Sequence, residues 1–194
     1  MDLQGQTEIA APREAVWAAL NDPDVLARCI DGVESLTRDG ENRFQGKLNA
    51  KVGPVRATFT GAVTLENLDP PNGYTLVGEG KGGVAGFAKG SAVVSLSDAN
   101  SDDGTPVTLL VYHAKSTVGG KLAQLGARLI EGTARAYAES FFARLKLELE
   151  GPPPVVPELD AVEPPETGGL SPMTWGLLIT AITAALVIAL LLMS

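Results

Sequence analysis

The chain has 194 residues and a formal net charge of −8, with 15 Lys and Arg against 23 Asp and Glu, and this acidic balance excludes an ordinary nucleic-acid binder. One cysteine, Cys29, excludes an internal disulfide and fits a reducing compartment, while one histidine, His113, without a cysteine at metal-ligand spacing leaves zinc and other metal sites unsupported. The opening MDLQGQTEIA has neither a basic nor an apolar signal region, so the expectation is a domain that stays in the cytoplasm.

Residues 1–150 have the size of one domain and hold all 15 basic residues with 19 acidic ones. Residues 3–9 alternate as a strand, Pro12 suits a first helical turn, 15–20 continue as a helix, and a second short helix starts near Asp22. Five runs of period-two character follow, at 43–52, 55–65, 74–80, 89–96 and 107–116, separated by Gly- and Pro-rich turn chemistry such as Gly53-Pro54 and Asp69-Pro70-Pro71-Asn72-Gly73. Consecutive strands of this kind pair antiparallel. Residues 120–150 then place Leu122, Leu125, Leu129, Ile130, Ala134, Tyr137, Phe141, Leu145 and Leu149 on one stripe of a long amphipathic helix. The order predicts an α+β fold in which a curved antiparallel sheet wraps a long C-terminal helix.

Side chains two apart share a face of a strand, and one register of each strand holds most of the apolar residues. That inward register reads Phe44, Gly46, Leu48, Ala50, Val52, then Phe59, Gly61, Val63, Leu65, then Tyr74, Leu76, Gly78, Gly80. It continues as Gly90, Ala92, Val94, Leu96 and ends with Leu110, Tyr112, Ala114. Glycine and alanine recur where a solid core needs Leu, Ile or Val, and the helix adds Ala123, Gly126, Thr133 and Ala136. The expectation is an apolar ligand cavity between sheet and helix. Its expected wall is Phe59, Gly61, Tyr74, Gly78, Phe87, Ala92, Val94, Leu110 and Tyr112 from the sheet, with Leu122, Leu125, Gly126, Leu129, Thr133 and Phe141 from the helix. The alternative is a solid core in which Phe59, Tyr74 and Tyr112 fill the space left by small neighbours.

The glycine-rich stretch 78–90, GEGKGGVAGFAKG, reads as a mouth loop in which Phe87 is a lid or Lys81 and Lys89 contact an acidic partner, or else as a plain hairpin. It lacks the G-x-x-x-x-G-K-[ST] of a phosphate loop. His113 lies in the register opposite Tyr112 and faces outward. No G-x-S-x-G and no cysteine pair is present, so nucleophilic or thiol catalysis has no support.

Residues 151–172, GPPPVVPELDAVEPPETGGLSP, contain seven prolines, three glycines and four acids and read as a linker able to reach up to about 60 Å. Residues 173–193 are 21 uncharged residues, the length that crosses a bilayer as one helix, so the expectation is a C-terminal transmembrane anchor in the cytoplasmic membrane. A hydrophobic helix packed in a core is the alternative.

Four segments, PREAVWAALNDPDVLARCIDGVESL (12–36), VGPVRATFTGAVTL (52–65), GVAGFAKGSAVVSL (83–96) and VGGKLAQLGARLIEGTA (118–134), stand in one order and spacing. Together they resemble the carbon monoxide dehydrogenase G-subunit family, within the START-like (SRPBCC), helix-grip superfamily, with AGFAKG and VGGKLAQLG the more specific. The resemblance covers nearly all of 1–149. It implies a non-catalytic accessory protein that recruits a molybdenum hydroxylase, typically aerobic carbon monoxide dehydrogenase, to the membrane. For such a partner the cavity suggests a respiratory quinone, menaquinone or ubiquinone, as bound ligand, and membrane lipid as the surroundings. Two other readings stay open: a structural tether without ligand, or a START-like small-molecule enzyme using Tyr112, Arg28 or Glu131.

Overall fold

The computed structural model describes residues 1–99, 101 and 104–151. Nearly all of the expected linker and the whole span 173–193 lie outside the described residues. Among the described residues no helix is long and apolar enough to cross a membrane.

The first strand, β1 (Asp2–Ile9), is followed by α1 (Arg13–Leu20) and α2 (Pro23–Cys29). The carboxylate of Asp22 caps α2, accepting from the amides of Asp24 and Val25 at 2.8 and 3.4 Å, and Pro23 opens the first turn, where its missing N–H costs nothing. Next come β2 (Val33–Arg38), β3 (Arg43–Val52), β4 (Val55–Asp69), β5 (Gly73–Lys81), β6 (Phe87–Ala99), β7 (Val107–Gly119) and α3 (Ala127–Glu150). All seven strands form one antiparallel sheet in the order β1-β7-β6-β5-β4-β3-β2.

The expected strands are present, with three corrections. The period-two pattern does not reveal β2, because a register shift between Val33 and Ser35 breaks it and leaves only Val33 and Leu36 half-buried. The glycine-rich stretch is no extended loop: β5 runs to Lys81 and β6 starts at Phe87, so only residues 82–86 connect them, with one 3-10 turn at Gly83–Ala85. The long helix begins at Ala127 rather than at 120. Residues Gly120–Leu125 are 3-10, and Gly120 and Gly126 hold φ of +76° and +89°, values that a right-handed α-helix does not contain.

The antiparallel order places the β3–β4, β5–β6 and β7–α3 connections at one end of the sheet, the hairpin end. The β4–β5 and β6–β7 connections and the C-terminus of α3 lie at the far end. The far end is solidly packed by Ile9, Val16, Leu20, Tyr74, Val94, Leu96, Leu110 and Leu145, all buried. Among the described residues the one fully buried polar side chain, Thr108, is satisfied by donating to the Ala11 carbonyl at 2.7 Å. Trp17 packs edge-on to Tyr74 with ring centroids 5.4 Å apart. Charged pairs clip α3 to its neighbours: Arg28 gives two hydrogen bonds to Glu148 at 2.8 and 2.9 Å, Arg144 pairs with Asp31, and Glu150 accepts from the Ala10 amide at 2.7 Å.

Candidate ligand cavity

Cross-strand pairing turns the inward register into rows running across the sheet. At the far end the rows are bulky: Leu96 pairs with Leu110, and Tyr74 faces Val94, which faces Tyr112. The next row is Leu65, Leu76, Ala92, Ala114 and Leu3. Then follow Phe44, Val63, Gly78, Gly90 and Ser116, and beyond them Gly46, Gly61, Gly80 and Ala88. Side-chain volume thus falls through these rows before Leu48, Phe59 and Val118 restore it at the hairpin end, and the sheet does not fill the space beside the small residues.

The space is a cavity of about 550 Å³, walled by Leu65, Tyr74, Leu76, Ala92, Val94, Leu110, Tyr112 and Ala114 of the sheet and by Tyr137, Ala138, Phe141 and Phe142 of α3. Leu20, Leu26 and Ile30 complete it from the short helices. A second hollow of about 380 Å³ continues toward the hairpin end, lined by Phe59, Gly61, Gly80 and Ala88, and shares Phe44, Val63, Gly78, Gly90 and Ser116 with the first. Together they have the size and apolar character of a small-molecule site.

Two glycines show why the wall is thin. A Cβ on Gly61 would lie 2.4 Å from the Glu79 carbonyl oxygen, and one on Gly90 would lie 2.3 Å from that of Lys115. Close approach of neighbouring strands forbids a side chain there, and the hollow is the consequence.

Of the fifteen residues expected on the wall, Tyr74, Gly78, Ala92, Val94, Leu110, Tyr112 and Phe141 line the main cavity, and Phe59 and Gly61 line its extension. Six do not. Phe87 shares its face with Lys89 and Ser91, opposite Gly90, and is 42% exposed, so it is no lid. Leu122 and Leu125 belong to the 3-10 segment before α3 and Gly126 follows it, all away from both hollows; Leu122 is buried, and Gly126 faces open space. Leu129 and Thr133 border a separate depression beside α3 with Lys51 and Arg128, and Ala123 and Ala136, expected on the small helix face, are exposed. The helical stripe, extrapolated through 120–126, misplaces Leu122, Leu125 and Gly126 because that segment is not α-helical, while Leu129 and Thr133 lie in α3 on the side that borders the separate depression.

The polar groups on the wall are few. Ser116 Oγ is buried at the junction of the two hollows and has no hydrogen-bond partner among the described residues. Burial pushes the Tyr74 phenol far above its ordinary value, so it stays a neutral donor. Tyr112 stacks on Phe142, and Phe142 meets Phe141 edge-on, both with centroids 5.1 Å apart. Tyr137 accepts the Lys51 amide at 3.2 Å, while Asp31, at the rim, accepts from Ser140 Oγ at 2.7 Å. The charged residues that border the cavity are Asp31 and Lys115. His113 lies outside, its Nε2 2.6 Å from Asp2 Oδ1, and no group of His, Cys, Asp or Glu among the described residues can hold a metal.

A sheet wrapped over one long helix, with a hollow, apolar interior, defines a START-like helix-grip domain. A START superfamily protein from Mycobacterium smegmatis superposes with TM-score 0.56 at 14% identity, over 77% of this chain and 97% of its own. The Zhui aromatase/cyclase from Streptomyces sp. R1128 does so with TM-score 0.55 at 16% identity, over 77% and 93%. A conserved protein from Geobacillus kaustophilus is nearer in sequence, 30% identical with TM-score 0.71, over 77% of this chain and 95% of that one. No curated protein matches the chain. The model of the CoxG family, the G subunit of carbon monoxide dehydrogenase, matches residues 5–150, and the chain belongs to that family. The two motifs that carry the resemblance meet in space: Phe87 pairs with Gly119 and Ala88 with Val118, and a Cβ on Gly86 (φ +115°) would lie 2.0 Å from the Gly119 oxygen.

Proposed function

We propose that this protein is a membrane-anchored quinone carrier for a molybdenum-containing carbon monoxide dehydrogenase or a related hydroxylase, taking electrons as bound quinol and returning them to the respiratory chain. The supporting observation is the graded interior, bulky at the far end and thinned to glycine and alanine in the rows through Gly78, Gly90, Gly61 and Gly80, short of Phe59. Family membership supports the dehydrogenase as partner, and the uncharged run 173–193 supports attachment to the cytoplasmic membrane.

The interior suits such a ligand. Apolar walls favour an isoprenoid chain at roughly 25 cal/mol per Å² buried. The lone Ser116 hydroxyl and the neutral Tyr74 phenol supply donors for a carbonyl of the head group. The chain's own residues orient the ligand and exclude water, and the redox chemistry belongs to the quinone and the partner. The protein does not itself catalyse.

The test is reconstitution of the full chain in quinone-bearing vesicles with the partner dehydrogenase and its substrate. Quinol formation that depends on this protein supports the carrier. Recruitment of the dehydrogenase to vesicles without faster quinol formation would reduce the protein to a tether.

A further inference from the structure

The hairpin end carries a charge pattern opposite to that of the chain as a whole. Lys51 and Arg56 flank the β3–β4 turn, Lys81 and Lys89 flank the β5–β6 connection, and Lys121 and Arg128 lie around the start of α3. All six are exposed, and none enters an ion pair among the described residues. Elsewhere, by contrast, Arg13 is paired with Asp98, Arg28 with Glu148 and Arg144 with Asp31. Among the described residues four acids accompany the six cations: Glu79, which pairs across strands with Lys89; Glu131, which is held 3.8 Å from Arg135; Glu34, which accepts from Asn49 Nδ2 at 2.7 Å; and Asp31, which borders one depression with Lys51 and Arg128 and is paired with Arg144. Among these cations stand Val84, 85% exposed on the 3-10 turn, Phe87 at 42% and Leu129 at 40%.

We infer that the hairpin end docks on an anionic phospholipid surface, with Val84 and Phe87 entering the headgroup layer. This inference rests on the carrier reading, because it supplies the face through which the interior meets the bilayer. Unpaired cations around single exposed apolar side chains, Val84 on its turn and Phe87 at the start of β6, are the composition of an interfacial contact, in which buried apolar area and attraction to anionic lipid add. A protein interface concentrates its apolar residues in a flat, closed centre, which this end lacks. The cavity's extension runs toward the same end, past Gly61, Gly80 and Ala88.

The 1–151 fragment is suited to the test, because it lies within a compact unit of its own, Met1–Pro153, and the solved Geobacillus kaustophilus chain, matched over 95% of its length, folds at that extent. Its co-sedimentation is measured with quinone-free vesicles of phosphatidylcholine, with and without phosphatidylglycerol. Binding is expected only with phosphatidylglycerol, weakening as salt rises. Each basic side chain at such a surface is worth about fivefold in affinity, so Arg56→Gln with Lys81→Gln lowers binding about 25-fold. Val84→Asp weakens it further, and because all three side chains are exposed, the circular dichroism of the variants stays that of the parent. Absence of binding, or binding indifferent to phosphatidylglycerol and to these substitutions, overturns the inference. So does loss of affinity for the dehydrogenase in Arg56→Gln/Lys81→Gln with vesicle binding unchanged, which would assign this end to a protein. Because the vesicles contain no quinone, docking and quinone binding fail or succeed separately.

Discussion

Ala92 sits in the middle of its cross-strand row, between Leu76 and Ala114, on the cavity wall shared with Phe141 and Phe142. Ala92→Phe places a ring in existing empty space, so bound quinone should fall at least about tenfold while the melting temperature moves little, because overpacking is relieved by the hollow. Equal quinone content in parent and variant would remove this wall from the site. Ser116 gives a different signature. Its hydroxyl has no hydrogen-bond partner among the described residues, so Ser116→Ala should leave the domain as stable or more so, yet weaken quinone binding by about fivefold, the worth of one hydrogen bond of roughly 1 kcal/mol. Lower stability with unchanged affinity would mean the hydroxyl serves the fold.

Residue identity was legible wherever period two held. Phe59, Gly61, Tyr74, Gly78, Ala92, Val94, Leu110 and Tyr112 share one face by alternation alone, and the structure gathers them. The same parity sets Phe87 opposite Gly90, and only the expectation of a loop obscured it. Ser116 was visible at the end of a strand, but that it lacks a partner depends on Gly78 and Gly90 across two neighbouring strands, which no local pattern reports.

At the scale of elements, two glycine turns hold the hairpin end. Gly86 has φ +115° and lies against Gly119 and Gly120, so Gly86→Ala combines left-handed strain with a backbone collision. We predict a loss of about 1–3 kcal/mol, read as a melting temperature lower by several degrees. The conformations of Gly120 and Gly126 likewise end the helical pattern before Ala127, and glycine in a sequence does not announce the sign of its φ. The clip between α2 and α3 is pH-dependent. Two hydrogen bonds from Arg28 hold the Glu148 carboxyl below its ordinary value of 4.5. Its contribution is therefore complete above pH 4.5 and disappears as pH falls through the lowered folded value. Thermal melts of parent and Glu148→Gln should differ at neutral pH and converge in acid. A gap that persists in acid would trace the effect to packing.

Across the whole molecule, the described domain divides its labour between ends. The far end is packed solid and clipped by ion pairs, the middle is hollow, and the hairpin end is cationic. Removing residues 152–194 should shift the protein from salt-resistant membrane attachment to weak attachment that salt reverses, measured by fractionation of cells expressing either form. Persistent salt-resistant attachment of the truncated chain would contradict an anchor at 173–193.

Everything proposed for the carrier depends on whether the interior holds a quinone. Mass spectrometry of an organic extract from the purified 1–151 domain, expressed in a host that makes both ubiquinone and menaquinone, decides it. Near-stoichiometric quinone in the parent, lost in Ala92→Phe, is the predicted result and identifies the preferred head group. An empty extract from a domain that also fails to take up added quinone would contradict it.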